Sequence, residues 1–207
     1  MLDGQLKRRM DPLLVATARR LAAMGVTANG VTYAAFAVGL AAAAAIASGH
    51  TLWGLGLLLL SRLGDGLDGA VARQSGPSDF GGLIDIVLDF AFYGIIPLAF
   101  ILLDPVANGI AGGLLLLSFY VNGASFLAYA IIAEKRGETT QQRGAKSIHF
   151  TTGLAEATET YLAFAVFCLW PAGFAITATI FAVICFYTAA SRLVLARRAF
   201  GPDRSDG

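Results

Sequence analysis

Four aspartates could do chemistry because they stand inside otherwise apolar stretches of the chain. Asp65 and Asp68 are three residues apart, and Asp85 and Asp89 are four apart, so on helices each pair shares one face. Bare carboxylates gathered at one point would repel one another and take up protons. They are also the hard oxygen ligands that Mg²⁺ and Mn²⁺ prefer. One or two such ions suit phosphoryl chemistry, since they neutralise a diphosphate and orient the attacking oxygen.

The composition identifies the surroundings of these carboxylates as a membrane. Of the 207 residues, 57% are hydrophobic and only 14% are charged, whereas soluble domains carry about 25% charged residues. With a mean hydropathy of +0.68, a soluble fold of this size could not bury so much apolar surface. Disordered, collagen-like and disulfide-scaffold classes are excluded by the same figures. The net charge of +1 carries no information on nucleic acid, and none is predicted as a partner.

The chain is predicted to be one all-α integral membrane domain, residues 1–207, with six transmembrane helices. A span takes about 20 mostly apolar residues, and six segments satisfy this. They lie near 32–48, 52–73, 80–103, 108–133, 149–169 and 173–196. Residues 1–25 place leucines at spacings of three to four with basic residues elsewhere, which predicts an amphipathic helix in the cytoplasmic interface. A solvated N-terminal helix is the alternative.

Basic residues are confined to the termini and to the loops on one side of these spans. The three opposite loops contain no Lys or Arg, so both termini are predicted to lie on the cytoplasmic side. The predicted location of the protein is the cell (inner) membrane. A helical rise of about 1.5 Å per residue then places all four aspartates in the cytoplasmic half of the bilayer. Cys168 and Cys185 fall at different depths and are predicted to be unpaired. Gly109 and Gly113 favour close helix packing, and a homodimer is predicted.

Two basic residues lie close to the carboxylates in sequence, Arg62 and Arg73. Two cations are too few to neutralise four acids as a purely structural arrangement, so a working site is favoured. Arg73 lies at the water boundary, where it would either grip a phosphate or anchor the span by the positive-inside rule. The surrounding glycines and alanines would let a ligand approach the backbone closely.

The spacing of these residues resembles the signature of the CDP-alcohol phosphatidyltransferases. Eight fixed positions match, in the pattern Asp65-x₂-Asp68-Gly69-x₂-Ala72-Arg73-x₇-Gly81-x₃-Asp85-x₃-Asp89. There is one departure, because the family has eight or nine residues between the arginine and the next glycine, and this chain has seven. The shortfall falls in the turn between spans two and three, so the helical phase around each aspartate pair survives. The six spans and the N-terminal helix extend the resemblance over most of the chain.

The resemblance implies an enzyme that transfers a phosphatidyl group from CDP-diacylglycerol, or another CDP-alcohol, to an acceptor hydroxyl and releases CMP. The four aspartates would hold one or two Mg²⁺ or Mn²⁺ ions, and Asp89 would also be the general base. The nucleotide site would be lined by Gly69, Ala72, Arg73 and Gly81. The segment Thr27-x-Asn29-x-x-Thr32 looks like the family's entry into span one, where Asn29 and Thr32 would contact the nucleotide. A helix N-cap is the alternative interpretation of this segment.

The acceptor is less clearly encoded. Arg143 and Lys146 precede span five and would either bind the phosphate of an acceptor such as glycerol 3-phosphate or inositol phosphate, or anchor the span. Glu156 and Glu159 lie one turn apart within that span. They would line a pocket for an amine or polyol hydroxyls, unless Arg62 pairs with Glu159 or Asp65 as a structural bridge. A small polar alcohol is therefore the predicted acceptor.

A cation transporter is the rival hypothesis, since carboxylates within the membrane also serve as ion sites. It explains the acidic cluster but not Gly69, Ala72 and Arg73. A transport pathway would need polar residues that continue outward, whereas the outer halves of spans two and three are rich in Leu and Ile. Transfer is therefore favoured over transport.

Overall fold

A computed structural model describes residues 14–136 and 157–200, and all their regular secondary structure is helical. This confirms the all-α prediction for these ranges. The helices are α1 (residues 14–23), α2 (Ala28–Ala47), α3 (Thr51–Ser75), α4 (Asp79–Leu103), α5 (Pro105–Lys135), α6 (Ala157–Leu169) and α7 (Phe174–Phe200), with a 3₁₀ turn at Pro171–Gly173.

Several of these helices can cross a membrane. Within the described residues, α2, α4, α5 and the segment Pro171–Phe200 are long and apolar enough, so the protein is an integral membrane protein. Helix α3 is equally long at 25 residues but carries the charges discussed above. The predicted fifth span, 149–169, begins outside the described residues, which include only its last 13 as α6. The count of six spans and the cytoplasmic side of the termini stay predictions.

Side-chain caps fix where the helices around the carboxylates begin. Thr27 accepts a hydrogen bond from the backbone of Gly30 at the start of α2, and Ser78 accepts one from Gly81 at the start of α4. Such caps satisfy backbone N–H groups that have no partner in the first helical turn. Between α3 and α4 the chain turns at Gly76, whose φ of 93° favours glycine. The short Arg73–Gly81 spacing thus contains a three-residue turn between two helices.

Helix α2 supports both of the carboxylate-bearing helices, because it packs against α3 and α4 along its length. The approach of α3 is close. A methyl group at Gly54 would overlap the side chain of Ile46, and one at Gly64 would lie 2.9 Å from Ala35 Cβ. Small residues at a helix crossing permit this spacing within a membrane. Elsewhere, α5 packs against α4 and α7, and α6 packs against α3.

Helix α1 covers one end of α2 and α3. Ala18 is fully buried against Val31, Ala70 and Val71, with Leu14 packed beside them. Residues 14–23 are therefore helical, as the leucine spacing predicts. Arg19, Arg20 and Leu21 also lie on this helix, whereas residues 1–13 of the predicted 1–25 helix lie outside the described residues, so its position in the membrane interface stays a prediction.

Two smaller predictions concern single residues. Cys168 and Cys185 are both buried and free, which confirms that they do not pair. Gly109 and Gly113 lie on α5, where no side chain of the described residues approaches them, and the neighbouring Ile110 is 91% exposed. The homodimer stays a prediction.

Candidate active site

Three of the four aspartates meet where α3 and α4 face each other. Asp65, Asp68 and Asp85 each offer one carboxylate oxygen, and these atoms all lie within 4.8 Å of one another. Opposite ligands around Mg²⁺ are separated by about 4.2 Å, twice a bond of about 2.1 Å. Three carboxylate oxygens at this separation therefore fit a single divalent ion after a small contraction, and their chemistry suits Mg²⁺ or Mn²⁺.

Asp68 is the most buried of the three and is held by α2. The hydroxyl of Thr32 donates to Asp68 Oδ2 over 2.6 Å and lies 3.1 Å from the carbonyl of Ala28. Carboxylates that bind metals are commonly oriented by such hydrogen bonds. Thr32 is predicted to contact the nucleotide. The structure shows a second contact for it, the hydrogen bond to Asp68 of the carboxylate cluster.

Asp89 lies one turn beyond Asp85 and pairs with Arg62 instead of joining the three-carboxylate cluster. Its Oδ1 accepts a hydrogen bond of 2.7 Å from Arg62 Nη1, and the same nitrogen lies 3.4 Å from Asp65 Oδ1. Of the two partners predicted for Arg62, the structure therefore pairs it with Asp65 and not with Glu159. The shorter contact, to Asp89, is not among the predicted pairs because its partners are 27 positions apart in the sequence.

The guanidinium of Arg62 is held on several sides. Its Nη2 donates to Ser61 Oγ over 3.1 Å, and that hydroxyl donates to the carbonyl of Ala35 on α2 over 2.7 Å. Its Cζ lies 3.7 Å from the centroid of the Phe92 ring, an arrangement typical of a cation–π contact. Only 8% of the Arg62 side chain is exposed.

Helix α6 contacts the surroundings of Arg62 through Tyr161. Its hydroxyl lies 3.2 Å from that of Tyr93 on α4, and its ring lies 5.8 Å from Arg62 Cζ. Two residues earlier in α6, Glu159 is half-buried, and its Oε2 has no hydrogen-bond partner among the described residues. Arg143, Lys146 and Glu156, the other residues predicted for the acceptor, lie outside the described residues.

A cavity of about 310 Å³ opens beside the three carboxylates, at the lower end of the range for small-molecule sites. Five of the residues predicted for the nucleotide line it together with two of the aspartates. They are Asn29, Thr32, Gly69, Ala72 and Gly81, with Asp68 and Asp85. The turn of residues 76–78 between α3 and α4 completes the wall.

Two details of the cavity wall bear on the predicted nucleotide site. A Cβ at Gly81 would lie 3.0 Å from both Asn29 Oδ1 and Ser78 Oγ, so a side chain here would crowd both of these polar groups. Thr27 caps α2, as the alternative interpretation of that segment had it, while Asn29 and Thr32 lie on the cavity wall. The N-cap interpretation therefore holds for Thr27, and the nucleotide contact of Asn29 and Thr32 stays a prediction.

Arg73 lies at the edge of the cavity and not in its wall. It is exposed in the last turn of α3, and its Nη1 lies 3.8 Å from the place that a Cβ on Gly69 would occupy. The guanidinium is therefore close to the cavity opening. Its two predicted roles, phosphate contact and membrane anchor, are both compatible with this position.

The sequence matches one protein family over most of its length. Residues 25–190 match the family described as CDP-alcohol phosphatidyltransferase. The inner membrane protein YnjF of Escherichia coli (strain K12) is 45% identical over 193 residues, which is 93% of this chain and 94% of that protein. The archaetidylinositol phosphate synthase of Methanothermobacter thermautotrophicus is 41% identical over 92 residues, 44% of each chain.

The fold is also found in solved structures. The phosphatidylinositol phosphate synthase of Mycobacterium tuberculosis with CDP-DAG bound superposes with a TM-score of 0.68 at 22% identity, covering 95% of this chain and all of that one. Its complex with manganese and citrate gives a TM-score of 0.63 at 23% identity over 92% of both chains. At this level of identity the likeness establishes a common fold.

Proposed function

Since the chain belongs to the CDP-alcohol phosphatidyltransferase family of enzymes, we propose that it transfers a phosphatidyl group from CDP-diacylglycerol, or another CDP-alcohol, to a small polar alcohol. The observation that carries this proposal is the cluster of Asp65, Asp68 and Asp85 beside a cavity lined by Asn29 and Gly81. A transporter would use the carboxylates, but it would leave Asn29, Gly69 and Gly81 on the cavity wall without a role.

The reaction exchanges one phosphate ester bond for another. The acceptor oxygen attacks the phosphorus that carries the lipid, a new P–O bond forms to the acceptor, and the bond to the leaving CMP breaks. Asp65, Asp68 and Asp85 would hold Mg²⁺ or Mn²⁺, which when bound neutralises the diphosphate. Asp89 would accept the proton of the acceptor hydroxyl. The contact with Arg62 Nη1 fixes the direction in which that carboxylate points.

The nucleotide would occupy the cavity between α2 and the turn at residues 76–78. Gly69, Ala72 and Gly81 leave room for it there, and Asn29 offers an amide that can donate and accept hydrogen bonds. Arg73 at the cavity edge would contact a phosphate of the donor. The solved synthase that carries CDP-DAG has the same fold, which supports a CDP-alcohol as the donor class.

The acceptor would approach from the side of α6. A buried carboxylate oxygen without a partner, such as Glu159 Oε2, is costly unless a ligand completes it. A hydroxyl-rich or amino alcohol would supply the missing donor, and Arg143 and Lys146 would bind a phosphate if the acceptor carries one. Glycerol 3-phosphate is the first acceptor to try. The inner membrane is the proposed location, with the site on the cytoplasmic side, as the distribution of basic residues and the E. coli relative support.

The test is CMP release by the purified protein in detergent with CDP-diacylglycerol and either Mn²⁺ or Mg²⁺. Parallel reactions would contain glycerol 3-phosphate, serine, inositol, inositol phosphate or phosphatidylglycerol. We expect release with one acceptor and its loss in Asp89→Asn, which keeps the shape of the side chain but cannot accept the proton. Turnover retained in that variant would show that Asp89 is not the base. Failure with every donor and acceptor of this class would contradict the proposal.

A further inference from the structure

One nitrogen of the Arg62 guanidinium is left without a partner. Its Nη1 donates to Asp89 Oδ1 and its Nη2 donates to Ser61 Oγ, but the buried Nε–H meets no acceptor among the described residues. Arginine keeps its proton in proteins and offers donors only, so this group can be matched only by an acceptor atom. Leaving a buried donor unpaired is costly, which indicates that a further oxygen completes the site.

The tyrosine pair beside Arg62 offers a second donor. The hydroxyls of Tyr93 and Tyr161 lie 3.2 Å apart, and only one of their two protons can lie between the two oxygens. The other O–H is therefore available to a ligand. Since the Tyr161 ring lies 5.8 Å from Arg62 Cζ, the two available donors belong to the same small region of the bundle.

This region adjoins the predicted general base. Arg62 Nη1 engages Asp89 Oδ1, which leaves Asp89 Oδ2 for the proton of the attacking hydroxyl. The Asp89 side chain is 28% exposed, so an acceptor can reach it. A substituent on the next carbon of the acceptor would then come close to Arg62 and to the tyrosine pair.

The packing around the guanidinium is tight toward α4 and looser toward α6. The centroid of the Phe92 ring on α4 lies 3.7 Å from Arg62 Cζ, whereas that of the Tyr161 ring on α6 lies at 5.8 Å. Two residues earlier in α6, Glu159 Oε2 also has no partner among the described residues. The side of α6 is therefore where an acceptor oxygen would enter.

We propose that the acceptor is a polyol and not an amino alcohol, and that the carbon next to its attacking hydroxyl carries a second oxygen that accepts from Arg62 Nε and the tyrosine pair. The inference rests on the proposed function, since it names the acceptor class of that reaction. An ammonium group offers donors only, so it would leave both donors unmatched and place a second cation beside Arg62. Glu159 accepts from either group and does not distinguish them.

The test uses pairs of compounds that differ only in a hydroxyl or an ammonium group next to the attacking hydroxyl. Glycerol 3-phosphate is paired with serinol phosphate, glycerate with serine, and inositol with an aminodeoxyinositol. Calorimetric titration of the full-length protein in detergent, with Mg²⁺ and without donor lipid, measures binding alone. Each unpaired buried donor costs about tenfold in affinity, so in the pair that fits the site the hydroxyl compound should bind at least about 100-fold more tightly. The kcat/KM for CMP release should show the same preference.

Variants identify the groups responsible for the preference. The double variant Tyr93→Phe/Tyr161→Phe keeps both rings and removes the available O–H, so the preference should fall by about tenfold. Tyr120→Phe/Tyr187→Phe makes the same changes at exposed positions on α5 and α7 and should leave the preference unchanged. Arg62→Met removes the other donor and should lower the preference by a similar factor. If Arg62→Met does not fold, the wild-type preference and the double tyrosine variant still test the inference.

Equal binding of the two members of every pair would overturn the inference, as would tighter binding of an ammonium compound or no binding of any hydroxyl compound. A double tyrosine variant that keeps the full wild-type preference would do the same. These outcomes are distinct from failure of the proposed function. A chain that binds the hydroxyl compound selectively but releases no CMP refutes the function and leaves the selectivity of the site, whereas CMP release at equal rates with both members refutes only the selectivity.

Discussion

The helix bundle has a carboxylate end, around Asp65, Asp68 and Asp85, and an aromatic core, around Phe100, Phe167 and Phe174. The two regions are packed in opposite ways. At the carboxylate end, Gly69 and Gly81 leave a cavity of about 310 Å³. In the core, Phe100, Phe167 and Phe174 are fully buried, with ring centroids 4.7 Å apart for the stacked pair Phe100–Phe174 and 5.0 Å for Phe167–Phe174. The first region keeps room for a ligand, and the second leaves none.

This difference indicates where chemistry and stability are located. The properties of the carboxylate end depend on single polar atoms and on the hydrogen bonds and ion pairs that each of them makes. Those of the core depend on filled volume, because within a membrane tight packing replaces the hydrophobic effect as the force between helices. Arg62 lies at the boundary and contacts both regions, with Phe92 on one side and Asp89 on the other.

Asp85→Asn is expected to have the largest effect. It removes a charged oxygen ligand from the three-carboxylate cluster, and a bound metal supplies several kcal/mol to transition-state stabilisation, so kcat/KM should fall by at least about 10³-fold. The thermal midpoint in detergent without metal should stay within about 2 °C of the wild type if the region serves chemistry alone. Asp79→Asn, the same change at a residue in the first turn of α4 that belongs neither to the carboxylate cluster nor to the cavity wall, is the control. Equal losses in both variants would contradict the assignment.

Phe167→Ala tests the role of the aromatic core in stability. The side chain is 0% exposed and packs edge-on against Phe100 with centroids 5.9 Å apart, so its removal should cost about 3 kcal/mol of stability through the cavity it leaves. Thermal unfolding in detergent measures this, while the KM for the CDP-lipid should not change. Val166→Ala truncates an exposed neighbour on the same helix and should leave both values unchanged. A raised KM in Phe167→Ala would mean that the two regions are coupled.

The carboxylate end could largely be predicted from the sequence because its information is local. The i, i+3 spacing of Asp65 and Asp68 fixes one helix face, and a short turn sets the phase of Asp85 on the next helix. Helical periodicity is then enough to bring these groups together. The glycine and alanine positions that line the cavity were predicted through the resemblance to the family signature.

Contacts across the bundle could not be predicted in this way. Arg62 was seen as a candidate for pairing, but its contact with Asp89 depends on how α3 and α4 face each other and on Phe92, which closes one side of the guanidinium. The support of Asp68 by Thr32 depends on the position of α2. The partners in the aromatic core come from four different helices, and a pattern of phenylalanines does not indicate which rings meet.

Thr32→Val should have a smaller effect than the loss of a carboxylate. The change keeps the shape of the side chain and removes the hydroxyl that donates to Asp68 Oδ2 over 2.6 Å, so the metal ligand loses its orientation but not its charge. Mn²⁺ affinity should fall by about tenfold, the lower end for loss of a hydrogen bond to a metal ligand. A Mn²⁺ titration in the absence of substrate measures it. Thr179→Val, at an exposed site on α7, is the matched control. An unchanged Mn²⁺ affinity in Thr32→Val would leave Thr32 as a wall residue of the cavity only.

Arg73→Ala is expected to have the smallest effect, because Arg73 lies at the exposed edge of the cavity, where water screens its charge. Contacts between exposed charges contribute about 0.2–1 kcal/mol, so the KM for the CDP-lipid should rise by at most about fivefold with kcat unchanged. Arg197→Ala removes the same charge from the exposed last turn of α7 and controls for the attraction of the protein to anionic lipid. A KM raised in Arg73→Ala alone assigns Arg73 to the donor phosphate. Equal values in the two variants assign it to membrane anchoring, and the chemistry of the carboxylate end would then stop at the cavity wall.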